Sequence, residues 1–340
     1  MLFHIQQGCL GVKLMPLPAF WSNRSLLSNL LAPVGKIVGM LALLRVTFAR
    51  PKRISIPVVC VGNLVVGGAG KTPIVLSLAG LLKDRGVKVH CLSRGYGGRI
   101  KGPHQVNKEA DSAEDVGDEP LLLAGVAPTW VSVDRAAGGH LAETHGAEVL
   151  LMDDGFQNFS MAKDFSILVI DSEYGFGNQR VMPAGPLRET VSRGCRRADL
   201  VVLLGGDNQD IRSTLPFGMP ILTCRLAVEK EFCDLQGKSV LAFAGIGRPE
   251  KFFSTLKTLD CDVIRSISFP DHHAYTDAEI YDLQMEAKSI GAVLVTTEKD
   301  KVRLPYLAQS SVEAIPVEVV WDDEQAVDSI LAKLMKIEGT

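Results

Sequence analysis

A glycine-rich loop between a short apolar strand and an apolar-periodic helix constrains the fold of this chain most strongly. Residues 56–61 are an apolar run bounded by turn residues, which is typical of a buried strand in a parallel sheet. From Pro73 onward, apolar residues recur at helical spacing until Gly86, which marks the end of a helix. The loop between them contains Gly67, Gly68, Ala69, Gly70, Lys71 and Thr72.

This order predicts a phosphate-binding loop. Glycines let backbone amides surround phosphate oxygens, and the N-terminus of the following helix adds partial positive charge. Lys71 is placed to pair the β- and γ-phosphates of a nucleoside triphosphate, and Thr72 to bind Mg²⁺. One position departs from the usual pattern, because Val65 stands where a glycine is expected. The alternative, a glycine-rich turn with a chance Lys-Thr pair, leaves the flanking strand and helix unexplained.

The overall composition limits the class of protein. A chain of 340 residues is long enough for two domains with large cores. A hydrophobic content of 46% and a formal net charge of −3 indicate an ordered globular protein and exclude the disordered and nucleic-acid-binding classes. The seven cysteines contain no Cys-x-x-Cys pair, so we expect reduced, buried thiols and neither disulfides nor a zinc site.

The N-terminal region has an unusual charge distribution. Acidic residues are absent before Asp84, and the apolar stretches 20–31 and 37–48 are separated by Pro33 and Gly35. Each stretch is too short to cross a bilayer, which takes about 20 apolar residues. A cation-rich, aromatic, amphipathic pair of helices is typical of a membrane surface. Packing of the same helices on the protein's own core is the open alternative.

Charged residues follow two further apolar strands. Arg94 comes after strand 87–92, where either a ligand contact or a surface ion pair fits. Residues 149–155 indicate a buried strand that ends in two carboxylates, Asp153 and Asp154, and carboxylates there lie beside the phosphate loop and can hold Mg²⁺. Residues 117–120, Gly-Asp-Glu-Pro, precede an apolar helix, so by themselves their two acids fit ordinary helix-start positions.

The remaining strand signals predict the architecture. They lie at 166–170, 200–204, 220–224, 240–244, 293–297 and 317–320, and they alternate with helical segments. This alternation predicts an α/β fold with parallel sheets in sandwiches. We expect a membrane-associated segment at 1–50, a P-loop NTPase-like domain at 51–212, an extended linker at 213–238 and a smaller α/β domain at 239–340.

Two further segments suggest a binding surface. Residues 183–189, Pro-Ala-Gly-Pro-Leu-Arg-Glu, form a long rigid loop that carries Arg188, and we interpret this loop as a substrate-binding surface. His272 and His273 are neighbours in an extended segment and point to opposite sides, which argues against a metal site. We favour the interpretation that one of the two histidines faces a catalytic carboxylate.

Taken together, these motifs resemble the tetraacyldisaccharide 4'-kinase family, the lipid A kinases of Gram-negative bacteria. The resemblance covers about residues 57–304. It rests on Gly-Asn-Leu-Val-Val-Gly-Gly-Ala-Gly-Lys-Thr-Pro at 62–73, Ser-Arg-Gly-Tyr-Gly at 93–97, Gly-Asp-Glu-Pro at 117–120, Asp-Asp-Gly-Phe-Gln at 153–157, Pro-Ala-Gly-Pro-Leu-Arg-Glu at 183–189, Phe-Pro-Asp-His-His at 269–273 and Thr-Thr-Glu-Lys-Asp at 296–300. The irregular phosphate loop is itself the family's form. Asn158 departs from the pattern, since many members carry histidine there.

The resemblance implies a phosphotransferase with an alcohol acceptor. Its members transfer the γ-phosphate of ATP to the 4'-hydroxyl of tetraacyldisaccharide 1-phosphate and yield lipid IVA at the cytoplasmic face of the inner membrane. ATP and Mg²⁺ are the implied cofactors. The implied base is Asp118, assisted by His272 in preference to His273. Arg94, Glu119 and Arg188 are the implied contacts to substrate or phosphate.

Two other functions remain open from the sequence. One is a membrane-associated P-loop ATPase switch, which would hydrolyse nucleotide without an acceptor. The other is a kinase for a soluble small molecule. The absence of the guanine-reading Asn-Lys-x-Asp motif argues against a GTPase. We expect a monomer that contacts the lipid substrate and the inner-membrane surface and binds no nucleic acid.

Overall fold

The computed structural model describes residues 18–229 and 235–336. The strands are β1 Val58–Gly62, β2 Val89–Ser93, β3 His104–Gln105, β4 Thr129–Val131, β5 Val149–Asp153, β6 Phe165–Asp171, β7 Leu200–Leu204, β8 Ile221–Val228, β9 Ser239–Ala244, β10 Asp262–Ser268, β11 Val293–Thr297, β12 Glu313–Ile315 and β13 Val317–Trp321.

Eleven α-helices are present in the described ranges, together with 3-10 helices at Ala19–Trp21 and Tyr306–Ser311. The α-helices are α1 Leu26–Thr47, α2 Lys71–Asp84, α3 Ala113–Val116, α4 Asp118–Leu123, α5 Arg135–Thr144, α6 Val191–Cys195, α7 Gln209–Thr214, α8 Pro249–Thr258, α9 Asp277–Ser289, α10 Glu298–Lys301 and α11 Glu324–Met335.

The strands form two sheets. The larger sheet has nine strands in the order β13-β8-β7-β6-β1-β5-β2-β4-β3, and its two edge strands, β3 and β13, pair antiparallel while the others pair parallel. The smaller sheet has the order β10-β9-β11-β12 and is parallel throughout. The predicted α/β class with two parallel-sheet units is therefore confirmed.

Helices cover both faces of each sheet. On the larger sheet, α2, α4 and α11 pack on one face, while α5, α6, α7 and part of α1 pack on the other. On the smaller sheet, α9 covers one face and α8 the other. The central strands are buried along their whole length, which explains why β1, β2, β5, β6 and β7 read as continuous apolar runs.

The chain is divided differently from the predicted boundaries. The expected linker at 213–238 contains β8, a strand of the larger sheet, and residues 230–234 of that linker lie outside the described residues. After the smaller sheet, the chain returns: β13 pairs with β8, and α11 buries Val327, Leu331 and Leu334 in the larger core. The expectation that residues 239–340 form one domain is therefore wrong for the part that contains β13 and α11. An antiparallel edge pairing is set by distant residues and leaves no local signal in the sequence.

The N-terminal helix α1 also differs from its prediction. The sequence suggested two short helices broken at Pro33, but the structure has one continuous helix of 22 residues. Within the part of the chain that the structure describes, it is the one helix long and apolar enough to cross a membrane. A proline inside a helix costs about 3 kcal/mol. The contacts of α1 with residues 181–184, described next, help to offset that cost.

Helix α1 lies on the loop between β6 and α6. The Ser28 hydroxyl donates to the Ala184 carbonyl oxygen at 2.9 Å. Gly35 faces the Val181 carbonyl so closely that a Cβ would lie 2.5 Å from its oxygen. Arg193 donates to the Gly39 carbonyl oxygen at 2.9 Å. Small residues thus let the backbone of α1 approach the loop.

The thiol prediction is confirmed where the structure describes cysteines. Cys60, Cys91, Cys195, Cys224 and Cys261 are free and buried. Burial raises the pKa of the Cys60 thiol to about 11, so this thiol is unreactive at neutral pH. The other two cysteines, at positions 9 and 233, lie outside the described residues.

We predict that Gly35→Ala weakens the docking of α1. The added Cβ would collide with the Val181 carbonyl, and overpacking of this kind costs about 1–3 kcal/mol. Gly80→Ala in α2 is the matched control, because a Cβ there has no atom within 4 Å, and alanine is favoured over glycine in a helix by about 0.5–1 kcal/mol. Urea unfolding in detergent micelles measures both changes. Equal changes in the free energy of unfolding for the two variants would contradict the docking geometry.

Candidate active site

The phosphate-binding loop joins β1 to α2 at the carboxyl end of the larger sheet. Gly67 and Gly70 have φ angles of 104° and 75°, which favour glycine. At Gly70 a Cβ would also lie 2.1 Å from a methyl carbon of Leu204 on β7. The backbone angle therefore favours glycine at this point, and any larger residue would also displace the Leu204 side chain. Lys71 and Thr72 begin α2 and are buried.

The irregular position Val65 has a structural partner. Val65 forms an antiparallel bridge with Leu187, Val66 donates its amide to the Pro186 carbonyl at 2.9 Å, and Arg188 donates its amide to the Leu64 carbonyl at 2.8 Å. The loop 183–189, predicted as a substrate surface, is thus bonded to the start of the phosphate loop. A side chain at position 65 packs in the core, where a glycine would leave space.

Thr72 and Asp153 meet beside this loop. The Thr72 hydroxyl donates to Asp153 Oδ2 at 3.1 Å, as the predicted Mg²⁺ pair requires. The other carboxylate oxygen, Oδ1, is buried and has no hydrogen-bond partner among the described residues. A buried carboxylate oxygen without a donor is what a Mg²⁺ ligand looks like before the ion is bound. The donor set of hydroxyl and carboxylates also suits Mg²⁺.

Burial and charge act on Asp153. The pKa of its carboxyl is raised to about 7, first because the side chain is buried and then because Glu119 and Asp154 add negative charge, while Lys71 and the Thr72 hydroxyl oppose the rise. A bound divalent cation would stabilise the ionised form of this buried carboxylate. No group of three or more His, Cys, Asp and Glu side chains that could hold a metal occurs in the described ranges, so phosphate oxygens and water would complete the coordination.

Asp154 forms the second part of the site. Arg188 binds its carboxylate with both Nη atoms, at 3.0 Å to Oδ1 and 3.3 Å to Oδ2, and Lys71 Nζ lies 3.7 Å from Oδ1. Burial alone would raise the pKa of Asp154, but the charges of Lys71 and Arg188 hold it below its ordinary value. The structure therefore brings together two predicted cations and one predicted metal ligand.

Asp118 lies at the junction of the two sheets. It begins α4 on the larger unit, and its side chain is 4% exposed. Its Oδ2 accepts hydrogen bonds from His272 Nδ1 at 3.0 Å and from Arg303 Nε at 2.9 Å, both on the smaller unit. Lys299 Nζ lies 3.8 Å from the same oxygen. The predicted base is thus enclosed by donors from the other unit.

These neighbours set the ionisation of Asp118. Burial would raise the pKa of its carboxyl, but the hydrogen bond from His272 and the charges of Lys299 and Arg303 outweigh burial and lower the pKa below its ordinary value. The carboxylate is therefore ionised at neutral pH. An ionised carboxylate can accept a hydrogen bond from a substrate hydroxyl.

The two adjacent histidines have different partners. His272 faces Asp118, and its ring lies 5.5 Å from that of Tyr96 in an edge contact. His273 Nε2 lies 3.1 Å from Glu279 Oε1, a residue of α9. The left-handed backbone of His272, with a φ of 57°, turns the two rings apart. The preference for His272 as the neighbour of Asp118 agrees with this geometry.

The remaining predicted contacts lie at the edge of the site. Glu119 Oε1 accepts from Lys299 Nζ at 3.1 Å, so this acid is paired across the two units. Arg94 is exposed at the end of β2. Its charge acts on the buried Arg135, whose pKa is lowered to about 10, chiefly by burial.

Three cations of the site were missed in the sequence. Arg135 donates to the Asp153 carbonyl oxygen at 3.4 Å and is 2% exposed. Asp134 caps the N-terminus of α5 and directly precedes Arg135, so the sequence does carry a local signal that Arg135 begins a helix after β4. Lys299 and Arg303 lie in and just after the quoted segment 296–300, but no local pattern shows that this helix faces Asp118.

Comparisons with known proteins agree on one family. The sequence profile described as LpxK, tetraacyldisaccharide-1-P 4'-kinase, matches residues 27–336. The tetraacyldisaccharide 4'-kinases of Rhodospirillum centenum and Rhodospirillum rubrum are 48% and 49% identical over 94% of this chain, covering 97% and 98% of those proteins. The crystal structure of LpxK from Aquifex aeolicus in complex with ATP matches with a TM-score of 0.73 and 32% identity, covering 91% of this chain and 100% of that one.

We predict a pH-dependent stability from Asp153 in the metal-free protein. Its folded-state pKa of about 7 lies above its ordinary value of 3.8, so the free energy of unfolding falls as pH rises from about 4 to 7. Asp153→Asn should therefore be more stable than wild type at pH 8, on the order of a few kcal/mol, and similar near pH 4. Urea unfolding in EDTA tests this. Asp282→Asn, a change at an exposed site, is the control. If the free energy of unfolding of Asp153→Asn depended on pH in the same way as that of wild type, the burial argument would be contradicted.

Proposed function

The chain belongs to the tetraacyldisaccharide-1-phosphate 4'-kinase family, and from this premise we propose how its site acts. It is a lipid A biosynthesis kinase that uses ATP and Mg²⁺ and phosphorylates a lipid disaccharide. We propose that the acceptor is the 4'-hydroxyl of tetraacyldisaccharide 1-phosphate and the product lipid IVA. The observation that carries the site assignment is Asp118, a buried carboxylate at the same sheet edge as the phosphate loop and bonded to His272.

The phosphate loop and its neighbours bind the triphosphate. Backbone amides of residues 67–72 and the N-terminus of α2 surround phosphate oxygens. Lys71 neutralises charge on the β- and γ-phosphates. Arg188, held against Asp154 and bonded to the loop through its own amide, presents a guanidinium to the same region.

Thr72, Asp153 and Asp154 are the residues that would hold Mg²⁺. Their hydroxyl and carboxylate oxygens fit the ion, and the buried Asp153 Oδ1 lacks a donor among the described residues. When bound, Mg²⁺ neutralises charge on the phosphates. Arg135 is buried and donates to the main-chain carbonyl oxygen of Asp153, so it holds the backbone that carries this carboxylate.

Asp118 receives the proton of the attacking sugar hydroxyl. In phosphoryl transfer the transition state is loose, so the carboxylate mainly positions the hydroxyl and takes its proton late. His272 holds Asp118 in place from the smaller unit. Catalysis therefore requires the two units to be in contact, which is a common way to exclude water from a phosphate donor.

The acceptor reaches this site from a membrane surface. Exposed apolar side chains cover α1, among them Leu26, Leu30, Ile37, Met40, Leu41 and Leu44, and the exposed Phe48 follows directly after the helix. A patch of this size on a helix free of acidic residues fits a lipid surface. We place the protein as a monomer at the cytoplasmic face of the inner membrane, where ATP is available and free thiols stay reduced.

Arg94 and Glu119 lie at the outer edge of the site and are proposed contacts to the lipid disaccharide. Arg94 is exposed at the end of β2, with a guanidinium suited to phosphate oxygens. Glu119 is partly exposed beside the base and can accept a sugar hydroxyl. Both assignments rest on position in the site.

A transfer assay tests the reaction. Purified protein, [γ-³²P]ATP, Mg²⁺ and mixed micelles of tetraacyldisaccharide 1-phosphate are incubated, and the lipids are separated by thin-layer chromatography. We expect a labelled lipid product. Free phosphate in place of labelled lipid would favour an ATPase switch, and equal activity with a soluble sugar acceptor would favour a soluble-substrate kinase.

We predict that Asp118→Asn lowers kcat by about 10²–10⁴-fold, the usual contribution of a positioned base. The KM for ATP should change little, because the hydrogen bonds and ion pairs of Asp118 are with Glu119, His272, Lys299 and Arg303 and not with the phosphate loop. Lys71→Ala is the comparison variant, since it removes a phosphate contact and should also weaken ATP binding. Initial rates over a range of ATP concentrations separate the two effects. An Asp118→Asn enzyme with wild-type kcat would return Asp118 to a purely structural role.

We predict that Leu30→Glu combined with Met40→Glu weakens binding of the full chain to phosphatidylglycerol-containing vesicles by at least about tenfold. The change removes two exposed apolar side chains from α1 and adds charges that anionic lipids repel. Leu307→Glu is the matched control, because Leu307 is equally exposed but lies in the smaller unit. Vesicle sedimentation measures the partition. Unchanged partition of the α1 variant would show that α1 is not the membrane contact.

A further inference from the structure

The most informative unexplained group in the structure is the guanidinium of Arg303. Its side chain is 5% exposed, and it lies after α10 on the smaller unit. Nε donates to Asp118 Oδ2 at 2.9 Å, and Nη1 donates to the Gly245 carbonyl at 2.8 Å and to Asp300 Oδ1 at 3.2 Å. Nη2 is buried and has no partner among the described residues. Burying a cation is costly, and its partners here satisfy only part of its hydrogen-bonding capacity.

The group is held rigidly from behind by Asp300. This carboxylate is fully buried and accepts from the Gly245 amide at 2.9 Å and the Tyr275 hydroxyl at 2.7 Å, in addition to Arg303. His272 is bonded to the same cluster of residues, because its amide donates to the Gly245 carbonyl at 3.0 Å. Both donors to Asp118 are therefore fixed by one buried cluster.

The lone pairs of Asp118 show what this arrangement does. Oδ2 accepts two hydrogen bonds, from His272 and Arg303. Oδ1 accepts one, from the Glu119 amide at 2.9 Å. Since each carboxylate oxygen offers about two lone-pair sites, the open site is on Oδ1. The donors of the smaller unit thus leave one oxygen to receive a hydroxyl.

We infer that Arg303 is a positioning residue for phosphoryl transfer, which occupies Asp118 Oδ2 so that Oδ1 faces the sugar hydroxyl. The inference rests on the proposed function. Arg303 acts through its hydrogen bond to Asp118. Because its contact crosses the two units, it forms only when they are apposed, and the base is correctly oriented only in that state.

Lys299 is a weaker partner in the same contact. Its Nζ lies 3.8 Å from Asp118 Oδ2 and 3.1 Å from Glu119 Oε1, so its main bond is to the neighbouring acid. It supplies charge without fixing the orientation of the Asp118 carboxylate. Arg303 supplies charge and also fixes the orientation of the Asp118 carboxylate. Its rigid, planar guanidinium donates from Nε to Asp118 and from Nη1 to Asp300.

The test is kinetic and uses the full chain in the transfer assay. Arg303→Ala should lower kcat by about 10–100-fold, the effect of losing one charge-assisted hydrogen bond, with the KM for ATP within about twofold of wild type. Added guanidinium ion at millimolar concentration should restore part of kcat by entering the vacated space, whereas urea, its neutral analogue, should not. Arg303→Lys should keep part of the activity. Arg265→Met, an exposed cation on β10 that pairs with Glu286, is the control and should have wild-type kcat.

A double variant shows whether Arg303 acts through Asp118. In the Asp118→Asn background, Arg303→Ala should add little further loss, because residues that act as a unit are not additive. Additive losses, an Arg303→Ala enzyme with wild-type kcat, or equal rescue by urea would each overturn the inference. Wild-type protein that labels no lipid would overturn the proposed function and this inference together, whereas wild-type product with any of the former results overturns the inference alone.

Discussion

The contact between Asp118 and the smaller unit is the interaction on which the site depends. Asp118 is buried on the larger unit, yet its hydrogen-bond donors His272 and Arg303 come from the smaller one. A second polar contact lies elsewhere between the units, where Asp171 at the end of β6 pairs with Arg248 and Lys251 at the start of α8. The carboxylates of both contacts, Asp118 and Asp171, are buried, and a buried charge that loses its partner is costly. Both contacts therefore favour one relative position of the units, and that position also orients the base.

The parallel sheet explains why the other groups assemble where they do. The carboxyl ends of β1, β2 and β5 lie at one edge of the sheet. The phosphate loop, Arg94 and the two aspartates at the end of β5 therefore lie at the same edge because of the parallel pairing alone. The loop 183–189 is added to this edge by main-chain bonding to residues 64–66. Val65, which breaks the usual loop pattern, is the residue through which that addition occurs.

Local patterns in the sequence were sufficient for one part of the structure. The apolar runs of the central strands, the glycine loop and the adjacent aspartates predicted the α/β class, the loop between β1 and α2, and two carboxylates beside that loop, because all depend on neighbours in the chain or on the parallel-sheet rule. Three features escaped: the return of β13 to the larger sheet, the continuity of α1 through Pro33, and the cations Lys299 and Arg303. Each is fixed by contacts between distant segments, which periodicity cannot show.

The segment 181–188 connects the apolar helix α1 to the phosphate loop. On one side it receives the Ser28 hydroxyl and the close approach of Gly35 from α1. On the other side it bonds residues 64–66 and places Arg188 against Asp154. One short, hydrogen-bonded segment therefore holds both the apolar helix α1 and the start of the phosphate loop, and it fixes the position of each relative to the other.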